Sequence, residues 1–234
     1  MRIINTINLA RQENRENLTE IEAKELLRKA GIPVVESVLV HSKVEASATA
    51  EKLGYPVVMK IVSPEVLHKT DIGGVILGIK NKSQVASAYR RLVSLTSSLT
   101  SNYTATGIAV QKMAPPGTEV IIGMSKDPQF GPVIMFGLGG ILVELLKDVS
   151  FRIVPLTSKD AGEMIREVKG FPLLNGFRGR PGVDIHVLED ILLKVSRFAE
   201  ETPEIKELDL NPVIAYPDGA IAVDARIILE KLTS

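Results

Sequence analysis

Cysteine is absent from all 234 residues, which excludes disulfides, thiolate nucleophiles and cysteine-ligated zinc or iron–sulfur sites together. Net charge is absent as well, because 28 Lys and Arg balance 28 Asp and Glu. No overall field draws the chain to nucleic acid or to an anionic membrane, so an anionic ligand has to be held by local groups. No apolar run is long enough to span a bilayer, and the N-terminal stretch MRIINTINLARQENRENLTE has no apolar core of signal-peptide length. Neither GxGxxG ahead of a helix nor GxxxxGK[ST] occurs, so a Rossmann or P-loop nucleotide site has no support. Internal repeats and low-complexity tracts are missing too. The expectation is a soluble cytoplasmic chain with no nucleic-acid and no membrane partner.

What is present is 45% hydrophobic residues, enough to bury one large domain or two coupled lobes. Thr19 and Glu22 form a capping box ahead of a helix over Glu20–Ala30, which Gly31 and Pro33 end. Residues 1–19 read as a loose arm. Pro33–Val40 reads as a strand, Ser42 and Glu45 cap a helix that stops at Gly54, and strands follow at Val57–Ile61 and Val75–Ile79. A helix opens at Ser83, and the Ser/Thr-rich stretch Thr96–Thr106 is the expected boundary between lobes 20–106 and 107–234. Strands near Ile108–Lys112, Glu119–Met124 and Pro132–Phe136, joined by short turns, suggest one antiparallel sheet. Helices are expected at Ser158–Val168 and His186–Ala199, and a hairpin of Glu207–Ala215 and Ala220–Ala225 closes the chain. This mixture predicts a two-lobed α/β (α+β) enzyme.

That hairpin places Asp209 and Asn211 two residues apart on one face of a strand. With the turn centred between Pro217 and Asp218, Asn211 and Asp224 lie opposite each other. Three oxygen ligands then converge in a way that suits magnesium and substrate phosphate, although the spacing also fits a solvated hairpin with ordinary surface acids. His68, beside Lys69 and ahead of Gly73 and Gly74 in VSPEVLHKTDIGG, has the chemistry of a phosphoryl acceptor, and equally that of a surface histidine. His41 and His186 read as structural or solvated. Lys60 ends the apolar segment GYPVVMK, where a lysine either holds a phosphate or reaches water. The clustered glycines of FGLGGILVE offer backbone N–H groups for an anion nest.

The segments GYPVVMKIVSPEVLHKTDIGGV, VQKMAPPGTEVIIGMSKDPQFGPVIMFGLGGILVELLKDVSFRIVPL, LLNGFRGRPGVD and ELDLNPV with AVDARI stand in consistent order over nearly the whole chain. Through them the sequence resembles the ATP-grasp subunit of the NDP-forming acyl-CoA synthetases, the ADP-forming acetyl-CoA synthetase (acetate–CoA ligase) β subunits in particular. The resemblance implies an ATP-grasp fold and an acid–thiol ligase in which acyl-CoA, ADP and phosphate give acid, ATP and CoA reversibly. It implies Mg2+ and ADP/ATP on this chain, and CoA on an α partner that carries its own phosphohistidine, in an α2β2 heterotetramer.

By the same resemblance His68 accepts a phosphoryl group from the partner and Lys60 contacts nucleotide phosphates. Gln111, Lys112 and Met113 hold adenine between the lobes, largely through backbone groups, and Glu119 faces the ribose hydroxyls. Asn211 and Asp224 are magnesium ligands, and Asp209 serves the metal or steadies the phosphorylated imidazole. Other readings are a succinate- or malate-specific ligase subunit, one using GDP, and a regulatory nucleotide-binding module of a protein acetyltransferase. Retention of His68 and both metal ligands argues against the last.

Overall fold

The computed structural model describes residues 2–63, 69–99, 107–140, 147–179 and 181–231. Two compact units emerge, one of residues 17–22 and 35–115 and the other of residues 1–16, 23–34 and 116–234.

The first unit is built on a four-stranded sheet of β1 (Ser37–Val40), β2 (Val57–Val62), β3 (Val75–Ile79) and β4 (Gly107–Lys112) in the order β1-β4-β2-β3. Every pairing is antiparallel. β2 is central and buried along its whole length, as its unbroken Val-Val-Met-Lys-Ile-Val run requires. Helices α3 (Lys43–Leu53) and α4 (Lys82–Leu99) pack on this sheet. Ala46, Ala50, Val85 and Leu92 meet Met59, Ile61 and Val110 in the core. The Ser42 hydroxyl accepts from the Glu45 N–H at 3.1 Å, capping α3. At the head of α2 (Glu20–Lys29) the Thr19 N–H donates to Glu22 Oε2 at 2.7 Å and the Glu22 N–H returns to Thr19 Oγ1 at 3.3 Å, which is the expected capping box.

The second unit carries a six-stranded sheet with β10 (Arg226–Leu229), β8 (Ile205–Tyr216), β5 (Thr118–Asp127), β6 (Gly131–Leu138) and β7 (Val149–Ile153) in that order, and β9 (Gly219–Ala222) beside β8. Helices α5 (Ser158–Glu167) and α7 (Ile185–Glu201) pack on it and on each other, with a single turn α6 (Phe171–Leu174) between them in sequence. Met164, Ile165, Leu188, Ile191, Leu192 and Val195 are fully or almost fully buried.

Three expectations are corrected. Residues before Thr19 are not all a loose arm, because α1 (Arg2–Gln12) is a helix that buries Ile7 and Ala10. The strand at Gly107–Lys112 does not join the following strands in one sheet. It pairs with β1 and β2, and the chain changes unit after Pro115 instead of at 106/107. The closing segment is two strands, β9 and β10, and not one. Among the described residues no helix is long and apolar enough to cross a membrane.

Candidate functional site

β8 positions two of the expected residues, Asp209 and Asn211, by simple alternation. Leu208 and Leu210 are buried, while Glu207, Asp209 and Asn211 project to the opposite face. At the next residue the ladder with β5 slips. Val120 faces Val213 and Ile122 faces Leu210, so Asn211 and Pro212 together stand against Ile121. This β-bulge accommodates a proline that has no N–H to give a ladder, and it resets the phase so that Val213 and Ala215 become the buried residues. Asn211 therefore sits where the strand is re-aimed.

On its other edge β8 holds one register from Glu207 to Tyr216. Val213 faces Ala222 on β9, and Asp209 faces Arg226 on β10. Asn211 and Asp224 stand at matching register between those two pairs, in the gap where the partner strand is interrupted. There the Val223 N–H donates to the Pro212 carbonyl at 2.9 Å, and Asp224 Oδ1 accepts from the Ala225 N–H at 2.8 Å.

Burial pushes the Asp209 carboxyl above the usual carboxylate range. Arg226 opposes that rise, while the charges of Asp224 and Glu207 add to it. Two carboxylates that feel each other, with a carboxamide at the register of Asp224, would offer an ion oxygen donors only. Its hardness fits Mg2+, which takes one or two carboxylates and completes its octahedron with water and phosphate oxygens. Among the described residues no group of three or more His, Cys, Asp or Glu side chains is arranged to hold a metal. Magnesium here would depend on the Asn211 amide and on ligand phosphate.

Glu119 lies exposed at the start of β5. The glycines of FGLGG serve it in an unexpected way. Gly139 donates its N–H to the Glu119 carbonyl at 2.7 Å, and a Cβ at position 139 would lie 2.9 Å from Glu119 Cβ. Glycine is needed there so that the backbone can close over Glu119, and the Gly139 N–H is directed at protein and not at an anion. Residues 141–144 of the segment FGLGGILVE lie outside the described residues.

In the other unit, Lys60 does not end its strand, since β2 continues through Ile61 and Val62. The lysine is 3% exposed, and its Nζ donates to Glu20 Oε1 at 3.0 Å. Lys69 Nζ donates to the other oxygen, Glu20 Oε2, at 2.6 Å. Glu20 itself is 4% exposed. The sequence offered no sign of this carboxylate, because an acidic residue in the first turn of a helix is explained by the helix dipole alone.

His68 lies outside the described residues, and the described part of its segment resumes at Lys69. From there the Gly73 N–H donates to the Thr70 carbonyl at 3.0 Å and the Gly74 N–H to the Lys69 carbonyl at 2.7 Å. A Cβ at position 74 would lie 2.9 Å from that same carbonyl oxygen. Gly74 is thus required by a tight turn.

The Gln111 side chain is fully buried, and its Oε1 accepts from Ser37 Oγ at 3.0 Å. Lys112 is exposed, with Nζ donating to the Gly54 carbonyl at 2.8 Å, and the Met113 N–H donates to the Pro56 carbonyl at 3.1 Å. These bonds brace the end of β4 against the start of β2. His41 and His186 are both exposed, and His186 Nδ1 lies 3.0 Å from Glu189 Oε2.

Residues 9–229 match a family model described as an ATP-grasp domain. The chain is 52% identical over 223 residues to the β subunit of acetate–CoA ligase [ADP-forming] I of Pyrococcus furiosus, which covers 95% of this chain and 96% of that one. It is also similar to the dinucleotide forming acetyl-coenzyme A synthetase 1 of Ca. Korarchaeum cryptofilum. One structure of that protein, with coenzyme A, Ca-AMPCP and HgCl+, superposes with a TM-score of 0.91 at 48% identity, covering 97% of this chain and 99% of that one. Another contains coenzyme A and Mg-AMPPCP, with its phosphohistidine segment pointing towards the nucleotide binding site. Its TM-score is 0.85 at 46% identity, over 97% of this chain and 100% of that one.

Proposed function

We propose, from the premise that the chain belongs to the ATP-grasp domain family, that it is the nucleotide-binding β subunit of an ADP-forming acyl-CoA synthetase of the acetate–CoA ligase type. The single observation that carries this reading is the 52% identity to an acetate–CoA ligase β subunit over nearly the full length of both chains. The oxygen donors of the β8 hairpin support it, as do the buried lysine on β2 and the magnesium nucleotide in a relative's structure.

In this reading a CoA-binding α partner converts acyl-CoA and phosphate to acid and CoA and keeps the phosphoryl group on its own histidine. A nitrogen of the His68 imidazole takes the phosphoryl group, the N–P bond on the partner breaking as the new one forms. A terminal oxygen of ADP then takes it from His68 to give ATP. Such a group spreads negative charge over three oxygens, so positioning and neutralisation supply most of the catalysis. Magnesium, held by residues of this chain, would supply neutralisation of that charge.

Asn211 and Asp224 would hold the metal, and Asp209 would face the phosphoryl group or the imidazole that carries it. Lys60 would meet the nucleotide phosphates, Glu119 the ribose, and residues 111–113 the adenine. The lobes of the ATP-grasp fold would correspond to the two compact units. A heterotetramer of two α and two β chains, and a cytoplasmic location, belong to the same reading.

Isolation of the chain from its native cell tests the proposal. The expected companion is a CoA-binding chain, and the pair should make ATP from acetyl-CoA, ADP and phosphate. A companion of another kind, or no ATP formation by the pair, would refute it. Competition among acyl-CoA substrates and between ADP and GDP on the same preparation then separates acetate from succinate or malate.

A further inference from the structure

Glu20 is the first residue of α2, and Thr19 before it is fixed by the capping box, so the direction of the Glu20 side chain is set by the helix start. Its side chain is 0% exposed, and its two oxygens divide between Lys60 Nζ at 3.0 Å and Lys69 Nζ at 2.6 Å. All three residues belong to the same compact unit. An ammonium as deeply buried as that of Lys60 stays inside a protein only with a counter-charge and hydrogen bonds around it. The two ammonium groups share the one carboxylate, each bonded to a different oxygen of it. An ammonium has three N–H donors, and a bond to a fixed carboxylate sets the direction in which it points.

We propose that Glu20 is a positioning residue for phosphate binding: it holds the Lys60 ammonium buried, charged and aimed, and ties it through a shared carboxylate to Lys69. This rests on the reading of Lys60 as a nucleotide-phosphate contact and deepens it. The cluster is suited to a nucleoside diphosphate or triphosphate and has nothing to offer the base or the sugar. A simple placeholder role, with Glu20 standing in for phosphate and leaving when it arrives, fits less well. A carboxylate with no exposed surface at the first turn of a capped helix has nowhere to go.

The test measures binding of Mg·ADP and of adenosine to the full chain by titration, for the wild type, Glu20→Gln, Glu20→Asp, Lys60→Met and the double variant Glu20→Gln/Lys60→Met. The expected result is a loss of Mg·ADP affinity of roughly tenfold or more in Glu20→Gln, with adenosine affinity unchanged. Glu20→Asp, which keeps the charge, should recover part of the loss. In the Lys60→Met background Glu20→Gln should have little further effect, because it acts through the lysine.

Equal loss of ADP and adenosine would show a merely structural role. Unchanged or tighter ADP binding in Glu20→Gln, or full additivity with Lys60→Met, would equally overturn the proposal. Failure of the wild type to bind either ligand would instead strike the nucleotide-binding reading itself.

Discussion

At the scale of single residues, the hairpin carries the sharpest expectations. Asp224→Ala removes one of the two oxygen donors placed at matching register on β8 and the strand break. Turnover should fall by roughly two orders of magnitude or more, and the magnesium dependence of ADP binding should be lost, while the circular dichroism of the fold is retained. An unaltered magnesium titration of activity would dismiss the site. Glu119→Gln tests a different kind of contact. A ribose hydrogen bond is made equally in ground and transition states, so its loss should raise the nucleotide KM by roughly tenfold and leave kcat within about twofold. A large kcat defect at constant KM would refute the ribose role. The placement of Asp209, Asn211 and Asp224 was legible in the sequence because strand alternation and hairpin register follow from counting residues. The bulge at Asn211–Pro212 and the carboxylate of Glu20 were not. The first depends on how β8 meets β5, whose residues lie about ninety positions earlier, and the second on contacts 40 and 49 residues distant.

At the scale of elements, local signals were read well and remote pairings poorly. The Thr19–Glu22 capping box is the clearest local case, and α5 offers a test of a second one that the sequence reading did not single out. Thr157 caps it, its hydroxyl accepting from the Asp160 N–H at 3.2 Å while the Asp160 carboxylate accepts from the Thr157 N–H at 2.8 Å. The Thr157 hydroxyl also donates to Asp160 Oδ2 at 2.6 Å, and this bond first, with the one from the Thr157 N–H second, holds the Asp160 carboxyl below the usual carboxylate range. A carboxyl with a folded-state pKa below its unfolded value contributes stability that is present above the unfolded value and is lost as pH falls through the folded one. Asp160→Asn should therefore lower Tm at pH 7, and the difference from the wild type should shrink below the ordinary aspartate range, near pH ~3.9. Thr157→Ala should cost about 1 kcal/mol at neutral pH. Melting curves that run parallel at all pH values would refute the ionic part of the cap. The sequence missed β7 and β10 because strands of five and four residues exist only through the neighbour they pair with. It misassigned β4 because nearness in sequence suggested a hairpin with β5, whereas Pro115, Pro116 and Gly117 break the chain between them and β4 completes the sheet of the other unit. The helix α1 escaped because, among its described side chains, Ile7 and Ala10 alone are buried.

At the scale of the whole molecule, the proposed reaction is divided. Lys60 and the segment that contains His68 belong to one compact unit, and Glu119, Asp209, Asn211 and Asp224 to the other. In that proposal CoA and acyl chemistry belong to neither. The proposed half-reaction between ATP and His68 would need only groups of this chain, and the one with acyl-CoA would need a partner. Given ATP labelled in its terminal phosphate and magnesium, the chain alone should acquire acid-labile, base-stable label, as a phosphoramidate of imidazole behaves. Addition of ADP should remove that label as ATP, and addition of the CoA-binding partner should pass it on. His68→Ala should take no label and should stop ATP formation by the assembled pair. Its Mg·ADP affinity should stay within about twofold of the wild type, because the groups assigned to base, ribose, metal and Lys60 are all retained. The partner's own histidine should still be labelled from acyl-CoA and labelled phosphate, since that step lies before His68. Substantial ATP synthesis by a His68→Ala pair would mean that the partner delivers its phosphoryl group directly to ADP, and the carrier role of this segment would fall while the nucleotide site remained.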